Sequence, residues 1–272
     1  EVPTIVDNQL GDDTWRKEGG TVYDVDFEDD KSLLNYVQYK VLTSTGGIII
    51  DWTDIAVGIN SSSYTTDWGL APGHFELLPA SYSYVSVRGV DNLDNIKEAD
   101  NLFYIKKDTT VPTVIDNQPG DDVWRSAGGT VYDVDFEDDL SGLDNAQYTI
   151  YTSTGQQGTL LKGWTDIPGV SGSSFTTDWS IDFASLEDST TNYVSIEVYD
   201  IAGNTTTIND AFYVKKDTSS PIVYDNEPGD DTWRNTGGTT YDIDFEDTGS
   251  GLSGAQYTIW TSTNQSGIQK KV

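Results

Sequence analysis

The chain has no cysteine and no methionine, and its one histidine is His74. Without thiols there is no disulfide framework and no thiolate nucleophile or soft metal ligand. A lone histidine in one copy of a repeating chain cannot serve a repeated catalytic or zinc site. No G-x-S-x-G elbow is present either. Bases are scarce as well, 15 against 45 acids, for a net charge of −30 and a pI near 4.1. Nucleic acid needs basic patches, so it is an unsuitable partner, and anionic membrane surfaces are disfavoured for the same reason. The apolar run Ile48–Ile50 is far too short to span a bilayer, so this segment predicts no membrane insertion. Together these gaps point away from an enzyme.

Among the acids, 35 are Asp and only 10 are Glu. Asp favours turns and presents its carboxylate on a short arm, which suits cation ligation from loops. Ser, Thr, Asn, Gly and Tyr are abundant, a composition typical of exported surface proteins and consistent with an extracellular, cell-surface location.

The chain states one theme at a period of 109 residues. VPTIVDNQLGDDTWR (2–16) returns as VPTVIDNQPGDDVWR (111–125) and as SPIVYDNEPGDDTWR (220–234). Between 2–30 and 111–139, 23 of 29 positions are identical. A period this long signals tandem whole domains rather than a solenoid of small units. The units expected are 1–108, 109–217 and 218–272, the last a partial copy whose Val272 falls in register with Gly163. Half a sandwich would leave its inner face wet. A segment cut from a longer protein accounts for this more simply than strand donation between subunits.

Helical periodicity is absent, and period-two alternation rich in Val, Ile, Tyr, Thr and Phe is pervasive. The second copy reads as seven strands: 112–117, 130–137, 146–154, 159–167, 173–179, 192–200 and 205–215. Seven short strands in one such unit predict an all-β fold, tandem seven-stranded immunoglobulin-like β-sandwiches arranged end to end. In TVYDVDFE (130–137), Tyr132, Val134 and Phe136 should face the core, as should Val194, Ile196 and Val198. Gly128–Gly129 suits a tight turn. Pro112 and Pro221 close short linkers and restrict the residue before each, so neighbouring units should stack with little bending.

The segments DLSGLDNAQYTI (139–150), KGWTDI (162–167), YDIAGN (199–204) and the junctions LFYIKKDTTVP (102–112) and FYVKKDTSSP (212–221) carry a resemblance. They are similar to the tandem immunoglobulin-like repeats of large bacterial and archaeal extracellular surface proteins. The first copy departs at DNLDN (91–95), where Asp94 stands in place of the turn glycine. The resemblance implies an extracellular spacer, stalk, fibre or adhesin, often calcium-bound, without catalysis.

Candidate chemistry lies in the acidic loops. Ca²⁺ takes six to eight oxygen ligands. In a seven-stranded sandwich the loop after the second strand, the turn between the last two strands and the incoming linker share one pole. Glu137, Asp138, Asp200, Asn204 and linker Asp108 should therefore converge, and Glu28, Asp29, Asp91 and Asn95 should form the counterpart in the first copy. The alternative is ordinary solvated turns, and no D-x-D-x-D-G loop is present. If a metal binds, the oxygen-only donor set selects Ca²⁺. The GDD triplets (11–13, 120–122, 229–231) sit on the first connection, at an unassigned pole. The D-x-D-x-E stripe (Asp24, Asp26, Glu28) is spaced too widely for one ion and reads as a solvent face, since alternate strand residues stand about 6.6 Å apart. Halophilic adaptation would also raise the acid count, but it predicts acids scattered over faces rather than gathered at loop ends.

Trp15, Trp52 and Trp68 recur as Trp124, Trp164 and Trp179. Packing in the core or at sheet edges is the default, and stacking on sugar rings is the sharper alternative. N-x-[ST] occurs at Asn60, Asn204 and Asn264, near chance for this composition. The expected role is a calcium-stiffened stalk or fibre segment whose partners are other copies of itself or neighbouring repeats. The alternative is an adhesin module recognising glycans or surfaces. At about 3.3 Å per strand residue, each unit should be roughly 30–40 Å long.

Overall fold

A computed structural model describes residues 1–9, 14–118, 123–227 and 232–271. The GDD triplets at 11–13, 120–122 and 229–231 lie outside the described residues. In the first repeat the strands are β1 (Thr4–Asp7), β2 (Trp15–Arg16), β3 (Val22–Tyr23), β4 (Val25–Glu28), β5 (Leu34–Thr43), β6 (Ile48–Ser61), β7 (Ser63–Tyr64), β8 (Trp68–Gly69), β9 (Tyr82–Asp91) and β10 (Ile96–Lys107). A single helical turn, α1 (His74–Leu77), precedes β9. The second repeat holds β11 (Thr113–Asp116), β12 (Trp124–Arg125), β13 (Val134–Glu137), β14 (Leu143–Ser153), β15 (Gln157–Asp166), β16 (Ser174–Phe175), β17 (Thr190–Asp200) and β18 (Thr205–Lys216). The third contributes β19 (Ile222–Asp225), β20 (Ile243–Glu246), β21 (Ile259–Ser262) and β22 (Ser266–Lys271).

Each of the first two repeats is a β-sandwich. In the second, a three-stranded sheet β11-β13-β16 faces a five-stranded sheet β12-β18-β17-β14-β15, and the first repeat matches it with β1-β4-β7 against β2-β10-β9-β5-β6. Pairing is antiparallel except where the two-residue β12 runs parallel to β18, Trp124 beside Lys215, as β2 does to β10. These short parallel strands add to the seven expected. The alternation explains why the chain folds this way. Tyr132, Val134 and Phe136 are at most 1% exposed, and Val194, Ile196 and Val198 are fully buried from the other sheet. Each repeat closes its own hydrophobic cluster, one drawn from residues 23–105 and one from 132–214.

Three local features differ from the sequence reading. The run 130–137 is not continuous: Tyr132 bridges to Trp179, and pairing with β11 begins only at Val134. The span 173–179 is ordered as the short β16 and that same bridge. Helical turns occur where periodicity showed none, at α1 and at a 3₁₀ turn over Phe183–Ser185. One turn is too short to create periodicity, and these two are set by packing. The Gly-Gly pair explains how: a Cβ at Gly19 would come within 2.9 Å of Phe75 Cβ, and one at Gly128 within 3.0 Å of Phe183 Cβ. The partner glycines, Gly20 and Gly129, sit at φ 104° and 96°, the left-handed region that glycine adopts without cost.

The last strand of each sandwich is tied to its turn by a lysine. Lys107 Nζ donates to the carbonyls of Phe75, Glu76 and Leu78 at 2.8–3.1 Å, a cation at a helix C-terminus. Lys216 Nζ does the same for Leu186. In the third repeat β19–β20 and β21–β22 are separate two-stranded sheets. Phe245 is 41% exposed there, where Phe27 and Phe136 are 0%.

Candidate metal centre at the first seam

The first two repeats meet pole to pole through the linker. Asp108 is anchored on both sides of it. Its backbone N–H donates to Arg16 O in the first repeat at 3.0 Å, while Ser141 N–H of the second donates to its Oδ2 at 3.0 Å. Thr110 N–H closes a turn onto Oδ1 at 2.8 Å. Thr206 Oγ1 donates to Pro112 O, and Lys17 Nζ reaches across to Gly203 O.

Two loops of the second repeat bring further carboxylates to Asp108. Asp138 follows β13, and its Oδ1 accepts from Gly142 N–H at 2.7 Å and Leu140 N–H at 3.2 Å. Asp200 ends β17, and its turn is built by Asn204, whose backbone N–H and Nδ2 donate to Asp200 Oδ1 and Oδ2, both at 2.7 Å. Asn204 Nδ2 also donates to Asp108 O at 3.1 Å. This amide is therefore committed inside the seam, which removes the Asn204 sequon as an accessible acceptor in the folded chain.

Asp108, Asp138 and Asp200 each offer an oxygen within 4.8 Å of the others. All three are at most 4% exposed. Burial pushes the Asp200 carboxyl above its usual range; the Asn204 bonds oppose this, and the charges of Asp108 and Asp138 push it further up. Like charges at this distance and this dryness call for a counter-charge. Ser141 Oγ, in the same loop, is buried with no hydrogen-bond partner among the described residues. Calcium–oxygen distances of about 2.3–2.6 Å place opposite ligands of one ion about 5 Å apart, so the triad fits a single hard cation. The three carboxylates offer three of the six to eight oxygens that Ca²⁺ takes, Ser141 Oγ is a buried unpartnered oxygen on the same loop as Asp138, and the donor set holds nothing soft.

The counterpart in the first repeat is built differently. Asp29 Oδ1 accepts from the N–H groups of Lys31, Ser32 and Leu33, and Asp91 Oδ1 from those of Leu93 and Asn95. Ser32 Oγ joins the two carboxylates, and Asn95 Nδ2 donates to Asp91 Oδ2 at 2.7 Å. Burial opposes the charge on Asp91, but the bonds from Asn95, Ser32 and Leu93 outweigh it and hold the carboxyl well below its usual range. Two carboxylates stand here, satisfied by the protein itself. The Asp94 substitution leaves the turn intact: Asp94 adopts φ 59°, where Gly203 has 87°. Glu28 and Glu137 are exposed at strand ends and take no part in either cluster.

The second seam repeats part of the first. Ser250 N–H donates to Asp217 Oδ2 at 2.6 Å, and Gly251 and Gly249 N–H groups donate to Asp247 Oδ1. It adds a clamp with no counterpart at the first seam. Asp188 accepts from Thr218 N–H and Oγ1 at 2.7 Å and from Ser219 Oγ at 2.6 Å. The matching stretch of the first repeat, between Leu78 and Tyr82, is Pro-Ala-Ser and contains no acid. Sequence reasoning missed Asp188, which lies in the segment that differs between copies. It also missed Ser141, although Ser32, Ser141 and Ser250 recur at the repeat period.

The D-x-D stripes are spanned, not ligating. Asn117 Nδ2 bridges Asp133 Oδ1 at 3.2 Å and Asp135 Oδ2 at 2.9 Å, and Asn8 and Asn226 do the same in their copies. Trp68 and Trp179 are core residues. The half-buried Trp52 carries Lys40 Nζ at 4.6 Å and Arg88 Cζ at 4.4 Å from its ring centre. His74 Nδ1 lies 2.6 Å from the hydroxyl of buried Tyr39, inside the fold.

No protein family and no curated protein matches the chain by sequence. Among solved structures it is similar to a tetra-tandem repeat in the extending region of a large adhesion protein. That likeness has 17% identity and a TM-score of 0.33, covering 80% of this chain and 50% of the other. It is also similar to the fibronectin(III)-like modules of Clostridium thermocellum CbhA, at 12% identity and TM-score 0.31 over 78% of this chain and 95% of that one. The chain spans half the length of the adhesion-protein fragment. Among the described residues, no helix is long and apolar enough to cross a membrane.

Proposed function

We propose that this chain is a spacer segment of an extracellular surface protein, a stalk whose work is to hold its ends apart, stiffened at its seam by Ca²⁺. The observation that carries the reading is the triad of buried carboxylates Asp108, Asp138 and Asp200, drawn from the linker and two loops of the following domain. A cation there ties the linker to the second repeat while Asp108's backbone remains bonded to the first. Bending at the seam would then break metal–oxygen bonds. Without the ion, three carboxylates repel one another and the linker loosens. Ca²⁺ is the choice because the donors are hard oxygens.

Calorimetry and small-angle scattering with Ca²⁺ and with EGTA test this. The expected result is a higher melting temperature and a longer, narrower distance distribution with Ca²⁺, with both differences lost in D138N/D200N. Identical melting and scattering in both conditions would reject it.

A further inference from the structure

We infer that the first repeat carries a binding site of its own, a cavity suited to an alkylammonium group. This goes beyond the seam and does not depend on it. The cavity, about 380 Å³, opens between the turn at Gly19 and Gly20 and the loop over residues 70–73 that leads into α1. That volume falls at the small end of the range for ligand sites. Its walls include the buried Tyr23 and Phe75, 2% and 6% exposed, with Leu70 and Pro72 beside them. Glu18 and Glu76, both exposed, also line it, and no base does.

What builds the cavity is absent from the second repeat. Six residues separate Trp68 from Phe75, and three separate Trp179 from Phe183. These anchors match: Trp68 pairs with Tyr23 as Trp179 does with Tyr132, and each Phe lies against the first glycine of its Gly-Gly turn. The longer connection supplies one wall, and it is pinned. His74 N–H donates to Ala71 O at 3.0 Å, Ala71 N–H donates to the Tyr39 hydroxyl at 2.9 Å, and that hydroxyl meets His74 Nδ1 at 2.6 Å. In the second repeat the Tyr148 hydroxyl accepts directly from Asp182 N–H. The acids differ at the same place. Glu18 precedes the glycine pair where Ala127 does in the second repeat, and Glu76 follows Phe75 where Ala184 follows Phe183. Glu18 is a departure inside the very stretch in which 23 of 29 positions agree.

Two carboxylates without a base select a cation, and the apolar and aromatic walls select an apolar stem behind it. An ammonium gains further attraction from aromatic rings. Among the described residues neither carboxylate is hydrogen-bonded or ion-paired. Lys107 Nζ lies 5.1 Å from the Phe75 ring centre, but it is turned to the carbonyls of Phe75, Glu76 and Leu78. Lys17, beside Glu18, reaches away to Gly203 O. The ligand class is therefore a primary amine on an alkyl chain, met as a free diamine or as a lysine side chain. The net charge of −30 concentrates such cations around the chain.

Two-dimensional NMR titration of the full chain, in excess Ca²⁺ and about 0.15 M NaCl to screen diffuse attraction, tests the inference. Cadaverine and Nα-acetyl-lysine methylamide are the two ligands, one for each source, and 1-pentanol is the uncharged control. Saturable shifts are expected at the amides of Gly19, Gly20 and Gly73 and not at Gly128 and Gly129, the reference inside the same molecule. A response to one amine alone supports the site and names its source. E18Q/E76Q should weaken binding about tenfold, the loss of two exposed ion pairs, at an unchanged melting temperature. D138N/D200N should leave binding as it is, which keeps this result separate from the fate of the seam. No response to either amine would overturn the inference. So would shifts that never saturate, that appear equally at Gly128 and Gly129 or with 1-pentanol, or that persist at full strength in E18Q/E76Q.

Discussion

Asp108 illustrates how much a single side chain can decide. Its neighbours Lys106 and Lys107 face opposite sides of β10, one over the outer aromatics and one into the carbonyls that end α1. The next residue leaves the sheet and turns its carboxylate onto Ser141 of the following domain. Lys-Lys-Asp is therefore an ordered instruction to close one domain and grip the next. Replacing Asn204 by Ala removes donors to Asp200 and to Asp108 O, and the buried carboxylate loses part of its compensation. The expected cost is about 1–3 kcal/mol in chemical denaturation of the second repeat. Ser141→Ala should leave stability without metal nearly unchanged, because its hydroxyl bonds to nothing among the described residues. Isothermal titration should instead show weaker Ca²⁺ binding. The acids at the seam were legible because Asp and Asn recur at fixed positions beside glycine turns. The shared pole of the loops points to Glu28 and Glu137 as well, but each is the last residue of its strand, and alternation turns it outward, away from the loop that Asp29 and Asp138 enter.

Among the strands and loops, the alternating segments were the most legible. A half-buried strand has to repeat every second residue, so β13 and β17 declare their inner faces. What composition could not show was the discontinuity at Tyr132 or the parallel β12, since two residues carry no period. Phe136→Ala should cost about 3–5 kcal/mol, read as a lost or lowered transition of the second repeat, because Phe136 is fully buried between the sheets. The second seam's clamp gives a pH prediction. Bonds from Ser219 and Thr218 lower the Asp188 carboxyl from 3.8 to about 2. A depressed carboxylate contributes stability in full above its unfolded value and loses it as pH falls towards the folded one. Order at residues 217–219 should therefore hold at neutral pH and fade between about pH 4 and pH 2, as followed by amide exchange of Thr218. Asp188→Asn should weaken the clamp at neutral pH and flatten this dependence.

Taken as a chain of domains, the protein works by repetition: two closed cores, a short linker and carboxylates buried where the domains meet. The 109-residue period announced this arrangement, while the clamp at Asp188 stayed hidden because it belongs to one seam only. Two groups of acids stand out from the rest. Those at the seam are buried and converge, and those on the outer strands are spanned by asparagine. A merely salt-adapted surface would not make this division. The absence of cysteine allows a direct test of seam stiffness. Ser44 and Thr154 are exposed in matching hairpins of the two complete repeats and can be replaced by cysteine for spin labels. Pulsed dipolar spectroscopy then reads the distribution of distances across the seam. A single narrow distribution with Ca²⁺ that broadens in EGTA, and stays broad in D138N/D200N under both conditions, is the expected result. Equal widths with and without Ca²⁺ in the otherwise native chain would contradict it.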